Sequence, residues 1–419
     1  MRNQNKISAF FLFFLQFVNS QGIHNSFNIG SLEQMKGSQA VEYGILPNFR
    51  YDISLYNPAT WPKLKFTQLS LNYKGIENSS DVKNIISGIS SAKMIIPFKN
   101  NNAIGISFNP YSDQNIIYND SLVTTNLLFG DTIQTSREYT RQGGLFSFQT
   151  GFGRFVNNKI SFGLNLNYVF GSSRDSEIFV INQIPTISKN RYKHSGVFFQ
   201  GFTNFYPNNK TGIFFSIKHP FKNLRTVFER YHLFEDINEN GYHDNYGDFP
   251  NLSDVNLPKL TDLNQVIHSP KEIIIGFERK IFNKIVLNTQ VSRYKDNGER
   301  NKNYNNEINR IIRSSNSLSI GLMKFSNQLS SSFYNKFIIR LGLDYKNARI
   351  SSEIPMAEFG YSLGISFKFN TLSNQIDFNY SGGQRAYDSN YEKETFQQLS
   401  IGITIADLWF VKRRQRRNE

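Results

Sequence analysis

The chain has 419 residues, no cysteine and a formal net charge of +14. The lack of cysteine excludes disulfide bonds, thiol catalysis and cysteine-based metal sites. Phe and Tyr are abundant, at 39 and 21 copies, yet only 39% of the residues are hydrophobic. No apolar run beyond the N-terminus approaches the ~20 residues of a membrane-spanning helix. An aromatic-rich but polar chain of this kind is typical of strands in which apolar and polar residues alternate.

Residues 1–20 have the layout of a secretory signal peptide. Arg2 and Lys6 precede the apolar run ISAFFLFFLQFV, and Val18-Asn19-Ser20 before Gln21 are compatible with a signal-peptide cleavage site. About 12 apolar residues are too few to span a bilayer, so we predict a cleaved signal rather than the alternative, a single membrane anchor. The protein is therefore expected to be exported.

Residues 21–63 show no sustained alternation and contain the turn-prone stretches GILPNFRYD and LYNPATWPK. They precede the first convincing strand. A wide barrel is hollow unless something fills it. We therefore predict that residues 21–63 form an N-terminal hatch, or plug.

Residues 64–410 repeat segments of about ten residues in which apolar and polar residues alternate. In KISFGLNLNYVF one face is apolar and the other carries Ser, Gly and Asn. NKFIIRLGLDYK and GYSLGISFKFN follow the same pattern. A soluble β-sandwich also alternates, but its strands are shorter, and these apolar faces end in Tyr and Phe, as a membrane-interface girdle requires. The fold class predicted is all-β, a transmembrane antiparallel β-barrel of about 14 strands in the outer membrane, with the N-terminal plug inside.

The connections between these segments are of two kinds. Short ones such as FVNNKI and IFNKIV carry turn residues, whereas the long ones span 220–270, 294–316 and 382–396. In outer-membrane barrels the short turns are periplasmic and the long loops extracellular. The long connections are therefore predicted to face the cell exterior.

The stretch EDINENGYHDNYGDF lies in the first of these loops and resembles the start of a calcium loop. Asp236, Asn238 and Asn240 alternate, Gly241 is placed for a sharp turn and Asp244 follows. The twelfth position, which should carry a bidentate Glu, is Gly247, with Asp248 one place further on. Two interpretations stay open: a weak calcium site, or Asx turns with no metal. No cofactor is expected to be required.

The closing strand QQLSIGITIADLWF ends in Trp409 and Phe410, which we predict to be the signal read by the barrel-assembly machinery. Residues 411–419 carry five Lys or Arg and form a predicted basic periplasmic tail, near anionic lipid or simply solvated. Elsewhere the positive charge is dispersed, which favours a lipid partner or solubility over nucleic acid.

Polar residues on the strands are candidates for the lining of the lumen. They could line a passage, or pair with one another and with the plug. This set is Glu278, Arg340, Asp344, Lys368 and Asp377.

The six histidines form no pair at metal-ligand spacing. A Ser–His nucleophile on an outward face would need His194 or His219, which we place at strand ends. The chain is not expected to be an enzyme.

Three motifs carry a family resemblance. Asn57-Pro58-Ala59 before the first strand, AIGISFNPYSDQ at 103–114 and the ending IADLWFVK are similar to those of the FadL-like outer-membrane transporters of hydrophobic compounds, in their Bacteroidetes-type branch. The resemblance implies a 14-stranded barrel, a hatch element at Asn57, Pro58 and Ala59, and passive uptake of hydrophobic small molecules such as fatty acids. Relatives also serve as components of type IX secretion machinery, so a scaffold or accessory role is the alternative.

Overall fold

A computed structural model gives the structure of the protein. It describes residues 29, 31–32, 54–79, 83–98, 101–120, 123–126, 132–181, 184–244, 247–251, 264–282, 284–299, 312–326, 333–350, 355–369, 374–387 and 393–407. The predicted signal peptide, much of the predicted plug, Trp409, Phe410 and the basic tail lie outside these ranges, so those assignments stay predictions.

The described part consists almost wholly of β-strands. The strands are β1 (Ser31–Leu32), β2 (Thr67–Ser79), β3 (Lys83–Phe98), β4 (Asn102–Asp113), β5 (Ile116–Asp120), β6 (Val123–Asn126), β7 (Thr132–Asn157), β8 (Ile160–Ile181), β9 (Ile184–Phe205), β10 (Thr211–Glu235), β11 (Asn264–His268), β12 (Pro270–Phe282), β13 (Ile285–Asp296), β14 (Ile312–Lys324), β15 (Phe337–Ile350), β16 (Pro355–Phe369), β17 (Asn374–Tyr387) and β18 (Glu394–Asp407). Two 3₁₀ helices, Pro58–Lys63 and Phe333–Lys336, accompany them. No helix within the described ranges is long and apolar enough to span a bilayer.

Fourteen of these strands close into one antiparallel barrel. Around the ring they are β2, β3, β4, β7, β8, β9, β10, β12, β13, β14, β15, β16, β17 and β18. The ring is completed by β18 and β2, which pair without interruption from Thr395–Ser79 to Asp407–Thr67. The predicted antiparallel barrel of about 14 strands is confirmed.

The wall separates apolar from polar side chains as the sequence pattern predicted. Along β8, Phe162, Leu164 and Leu166 are exposed outward, whereas Ser161 and Asn165 between them are buried on the inner side. Strands β15, β16 and β18 repeat the pattern. Because apolar side chains cover the outside of a closed wall, the surrounding solvent is lipid.

Aromatic residues border this apolar band. Phe369 ends β16 at one edge, and Tyr361 lies eight positions away on the same outward face (369 − 361 = 8). At ~3.4 Å per residue the two are about 27 Å apart along the strand, and strand tilt reduces the height to roughly that of a membrane barrel's apolar band. Phe98, Phe205 and Phe282 end their strands at the same edge as Phe369. These aromatic residues form the predicted interfacial girdle.

The longest connections lie at one end of the barrel, as predicted, and most connections at the other end are short turns. The division is not complete, since 80–82 and 182–183 are short connections at the long-loop end and 325–336 is a twelve-residue connection at the short-turn end. The long end differs from the prediction in one respect. The expected loop 220–270 begins only after Glu235, because residues 222–235 of β10 pair with β9. Strands β7 to β10 thus have 26, 22, 22 and 25 residues, about twice what a bilayer crossing requires. The sheet continues beyond the membrane on the long-loop side.

The barrel interior contains packed protein at two levels. Near the short turns, the helix Pro58–Lys63 lies against the inner wall. Closer to the long loops a second cluster fills part of the lumen, composed of Ile29, Tyr111, Leu145, Val169, Phe198, Leu224 and Ile267. The lumen is therefore obstructed by the chain itself at both levels.

Candidate functional site

The helix Pro58–Lys63, called the interior helix below, is capped by Asn57. The Asn57 side-chain oxygen accepts from the Ala59 amide at 3.0 Å, and its Nδ2 donates to Asn204 Oδ1 of the wall at 3.0 Å. Pro58 follows the cap, where its missing N–H is not required. The cap therefore also attaches the helix to β9. The structure places the predicted hatch residues Asn57, Pro58 and Ala59 inside the barrel, and their role as a hatch stays a prediction.

Four wall glycines, the glycine face, allow the interior helix to approach the strands. A Cβ at Gly153 would lie 1.9 Å from the Pro58 carbonyl oxygen, and one at Gly163 would lie 2.4 Å from the Ala59 nitrogen. Cβ atoms at Gly105 and Gly151 would each lie 2.6 Å from the Trp61 ring. Helix backbone and indole thus occupy the space that side chains would take.

Trp61 anchors the helix through the burial of its large indole ring and the hydrogen bond of its indole N–H. The residue is 1% exposed, and its Nε1 donates to the Ser54 carbonyl at 2.8 Å. Lys93 extends from β3 to donate to the Leu55 carbonyl, with its ammonium 5.7 Å from the Trp61 ring centroid. Burial also raises the pKa of the Tyr56 phenol well above its usual range, so Tyr56 stays neutral. The segment 54–63 is held by uncharged hydrogen bonds, by close packing and by two ammonium groups, that of Lys93 and that of its own Lys63, which donates to Tyr206 Oη at 3.3 Å.

The wall opens between β3 and β4 towards the long-loop side. Their pairing runs from Phe98–Asn102 to Ala92–Phe108 and ends there among the described residues. Beyond that point residues 83–91 pair with β2 only, whereas β4 pairs with β7 and, through Ser112 and Asp113, with β1. We call the separation between residues 83–91 and 109–113 the wall gap.

Strand β4 turns inward at the wall gap. Phe108 is its last outward-exposed residue, the consecutive residues Tyr111 and Ser112 are both buried, and the register against β7 shifts between Pro110 and Ser112. Proline cannot donate to a ladder and is typical of bulges and edges. Pro110 therefore marks the bulge beyond which β4 is no longer paired with β3 and Tyr111 faces the lumen, while the ladder with β7 continues to Asp113–Gly144.

A buried hydrogen-bonded chain, the Tyr111 cluster, holds the inward part of β4. Tyr111 Oη lies 2.8 Å from His268 Nε2, and His268 Nδ1 lies 2.5 Å from Asp296 Oδ2. The Asp296 Oδ1 atom accepts from the backbone amides of Ser269 and Gly298. Tyr111, His268 and Asp296 are at most 3% exposed. The cluster connects β4 to the ends of β11 and β13 across the lumen.

The predicted polar residues of the lumen lie on the inner face of the wall. Arg340 Nη1 lies 3.5 Å from Asp377 Oδ1, with Ser366 between them as hydrogen-bond acceptor from the guanidinium and donor to the carboxylate. Gln375 donates to the same Asp377 oxygen at 2.5 Å. The pair is buried at 2% and 0% exposure. Arg340 and Asp377 therefore belong to one network across β15, β16 and β17.

The other members of the set lie elsewhere. Asp344 accepts from Ser319, Glu278 is buried on β12, and Lys368 is half-buried on β16. A second network was not predicted from the sequence: Arg385 donates to Glu358 at 2.7 Å and to Asn78 at 3.2 Å, across the strands that close the barrel. Buried polar groups of this kind are common structural anchors in barrels.

The placement of the histidines differs from the prediction. His194 and His219 lie within β9 and β10, not at strand ends. His194 does contact a serine, since its Nε2 is 3.0 Å from Ser173 Oγ. The pair is buried on the inner face, however, and the other ring nitrogen, Nδ1, is hydrogen-bonded to Thr226. The strand-end placement of these histidines is therefore wrong, and His194 does not form the outward-facing Ser–His pair that a nucleophile would need.

The predicted calcium-loop residues lie together after β10. The Asp236 carboxylate accepts from the amides of Asn240 and Gly241 at 3.2 and 2.7 Å. Asn238 and Asn240 both donate to the Asp244 carboxylate, Asn240 at 2.8 Å. The four predicted residues thus lie within one compact, hydrogen-bonded loop.

The wall gap, the Tyr111 cluster and the glycine face were not predicted from the sequence. A proline within an alternating segment, in SFNPYS at 107–112, is the signal that could have indicated a bulged strand at Pro110. The link between His268 and Asp296 joins residues 28 positions apart and has no local signature.

Comparisons with known proteins identify the fold and the family. The structure resembles a FadL homologue from Pseudomonas aeruginosa, at 12% identity and a TM-score of 0.55, over 90% of this chain and 98% of that one. It also resembles the CymD monoaromatic hydrocarbon channel (12%, 0.53, 91% and 99%) and the deltaS2 mutant of the TodX monoaromatic hydrocarbon channel (10%, 0.52, 92% and 99%). No curated protein matches the sequence.

At such low identities these likenesses show the fold alone. The sequence itself matches the BamG family model over residues 7–415. A closed barrel with a lipid-facing exterior and this fold is an outer-membrane protein. Because the family match spans nearly the whole chain, the protein belongs to the BamG family and has the barrel of the FadL-like channels.

Proposed function

We propose that the protein is a passive channel that takes hydrophobic small molecules from the cell exterior and releases them sideways into the outer membrane through the wall gap. The observation that carries this proposal is the end of the β3–β4 ladder at Ala92 and Phe108, where β4 turns inward. CymD and TodX, which share the fold, are described as monoaromatic hydrocarbon channels. Ring-sized hydrocarbons and fatty acids are the substrate classes we propose.

The rim of the gap supports passage of a solute. On β3 it is formed by the small-residue stretch Ser87-Gly88-Ile89-Ser90-Ser91. A Cβ at Gly88 would meet no atom within 4 Å, so the inner side of this rim is open. The opposite rim is β4, which withdraws into the lumen after Phe108. On the β3 edge the inward positions Gly88 and Ser91 are small, whereas on the β4 edge Tyr111 reaches into the lumen as part of the Tyr111 cluster.

Energetics favour exit through the wall. The periplasmic side of the lumen contains the interior helix, and its wall is polar. A ring-sized solute exposes roughly 150–250 Å² of apolar surface, and transferring that surface from water to lipid is worth about 4–6 kcal/mol. The bilayer is therefore a better destination for the solute than the periplasm, and the gap leads directly to it.

Substitutions on the two faces of β3 test the proposal. Gly88→Trp places an indole at the inner rim, whereas Ser87→Trp places the same group on the outward face next to it. In liposomes that contain the purified barrel, we expect Gly88→Trp to reduce uptake of toluene and of a fluorescent fatty acid at least tenfold, and Ser87→Trp to leave it near wild type. Equal uptake by all three proteins would refute exit through the gap.

A scaffold role is the second candidate. The family name, BamG, points to association with the barrel-assembly machinery, and the sequence resemblance also left open a component of a type IX-like secretion system. The structural observation that favours a scaffold is the extension of β7 to β10 beyond the membrane, which presents a sheet surface to partners.

Purification and transport assays separate the two candidates. Affinity purification of the full-length protein from its own membranes, followed by immunodetection of barrel-assembly and secretion components, tests the scaffold. Stoichiometric co-purification together with no uptake in liposomes would favour the scaffold. Uptake without such partners would favour the channel.

A further inference from the structure

The outward face of β12 to β16 changes from apolar to polar towards the long-loop end of the barrel. One row of direct cross-strand partners is apolar throughout, and its side chains are between 46% and 55% exposed: Ile275, Val291, Leu318, Tyr345 and Phe359. It is the last row on these strands in which every outward side chain is apolar. The row therefore marks the edge of the lipid-facing band on this part of the wall.

Four exposed basic residues, the basic row, follow this edge. Lys271, Lys295 and Arg349 each lie four positions beyond the apolar row on their strands (275 − 271, 295 − 291 and 349 − 345 are each 4), and Arg293 lies two positions beyond it. Alternate residues share a face, so all four point outward. Four residues correspond to ~14 Å along a strand, and strand tilt reduces the height to ~10 Å. Long Lys and Arg side chains can bend back across that distance to the lipid headgroups.

The charge of the basic row is not neutralised by the wall. Lys271 and Lys295 are direct cross-strand partners, and like charges in that position repel each other. The adjacent acids point inward, since Glu272 alternates with the outward residues of β12 and Asp296 pairs with His268. Within the described ranges no carboxylate forms an ion pair with a member of the basic row. The counter-charge must therefore come from outside the barrel.

The positive charge is confined to one part of the ring. Outward Arg174, Lys193 and Arg225 continue it onto β8 to β10. The outward positions of β18 and β2 beyond the apolar band hold no basic residue and are occupied by Thr395, Gln397, Gly75, Glu77 and Ser79. A requirement for solubility would apply all round the ring. The asymmetry instead favours a specific anionic partner against β8 to β15.

We infer that the basic row binds the phosphate groups of a glycolipid in the outer leaflet of the outer membrane. From Lys271 to Arg349 the row spans three strand spacings, ~14 Å, which suits a headgroup with phosphates at two positions better than a single phosphate. The guanidinium groups of Arg293 and Arg349 can each hold a phosphate by two parallel hydrogen bonds, and the ammonium groups act as point charges. The acyl chains of the same lipid then lie against the apolar row.

Bound lipid can be counted by native mass spectrometry of the full-length protein in detergent. The probes are lipid A with two phosphates and the same lipid A after enzymatic dephosphorylation. We expect the wild type to bind the phosphorylated form at least tenfold more tightly. Joint substitution of Lys271→Gln and Lys295→Gln should weaken that binding at least tenfold, because two cations are lost from the headgroup level. It also removes a repulsion, so the barrel should still fold.

The matched control is the joint substitution Lys159→Gln and Lys210→Gln, which removes two charges from exposed lysines of the short turns at the other end of the barrel. It should bind lipid A like the wild type, and heat-modifiable gel migration checks that each variant is folded. Three results would overturn the inference: equal binding of the two forms of lipid A, equal binding by the two double variants, or equally tight binding of phosphatidylglycerol. The assay contains no transported solute, so the proposed channel is tested separately.

Discussion

The close contact between the interior helix and Gly153 leads to a quantitative prediction for Gly153→Ala. The added Cβ would lie 1.9 Å from the Pro58 carbonyl oxygen, whereas ordinary contact begins at 3.4 Å, so one side must move by about 1.5 Å (3.4 − 1.9). The wall strand is held by ladders on both sides, through Ala103 and Gly163. The helix is therefore the part that moves.

The cost of that movement is comparable to what holds the helix. Overpacking costs about 1–3 kcal/mol, and loss of the bond from Asn57 to Asn204 adds about 1 kcal/mol. Burial of the Trp61 side chain contributes about 4–6 kcal/mol in favour of the seated helix. A loss of about 2–4 kcal/mol lowers the ratio of seated to unseated helix by roughly 30- to 700-fold.

Trp61 reports the outcome directly, because the chain has only two tryptophans. In a Trp409→Phe background its emission should be blue-shifted and protected from iodide. Gly153→Ala should shift the emission to the red and increase quenching. Gly88→Ala is the control, since a Cβ there meets nothing within 4 Å. If Gly153→Ala is quenched no more than Gly88→Ala, the helix does not lie against this strand as described.

Three further changes probe other parts of the barrel. Tyr111→Phe removes the hydroxyl that hydrogen-bonds to the buried His268 imidazole, which should destabilise the inward part of β4 by about 1–3 kcal/mol. Toluene uptake in liposomes should fall as well, and unchanged uptake would contradict a role for this strand in passage. Arg340→Met removes the guanidinium that pairs with the buried Asp377 and should lower the free energy of unfolding of the barrel, measured by urea titration, by about 3–5 kcal/mol. The additional substitution Asp377→Leu should largely restore that free energy. Deletion of 411–419 should preserve heat-modifiable assembly, whereas Phe410→Asp should abolish it, and the opposite pattern would show that the last strand is misassigned.

The wall of the barrel could be predicted from the sequence because the direction of each strand side chain follows from the local alternation of apolar and polar residues. Alternation in β8 sets Leu164 towards lipid and Asn165 inward regardless of the rest of the chain. The upper half of β10 was predicted as a loop because residues 222–235 lie beyond the bilayer, where the outward face need not be apolar. Strand continuation there depends on pairing with β9, which no local pattern encodes.

The candidate sites depend on contacts between residues that are distant in the sequence. The sequence predicted only some of these contacts. Asn57-Pro58-Ala59 could be recognised as a motif, but the glycines that receive it lie about 95 to 105 positions away. Asp248 misses the twelfth position of the calcium-loop pattern by one residue. Its carboxylate nevertheless folds back on Asp244, since register along a loop does not fix distance in space.

The pairing of β18 with β2 has a consequence for how the protein forms. Thr67 and Asp407 are partners 340 residues apart (407 − 67), so this seam can only form after nearly the whole chain is available. Until then a curved sheet has two free edges, each a template for incorrect pairing. Among the described strands the interior helix packs chiefly against β3, β4, β7, β8 and β9 rather than against the closing strands β17 and β18. It can therefore take its place on the open sheet early, so that the lumen is filled before the final seam encloses it.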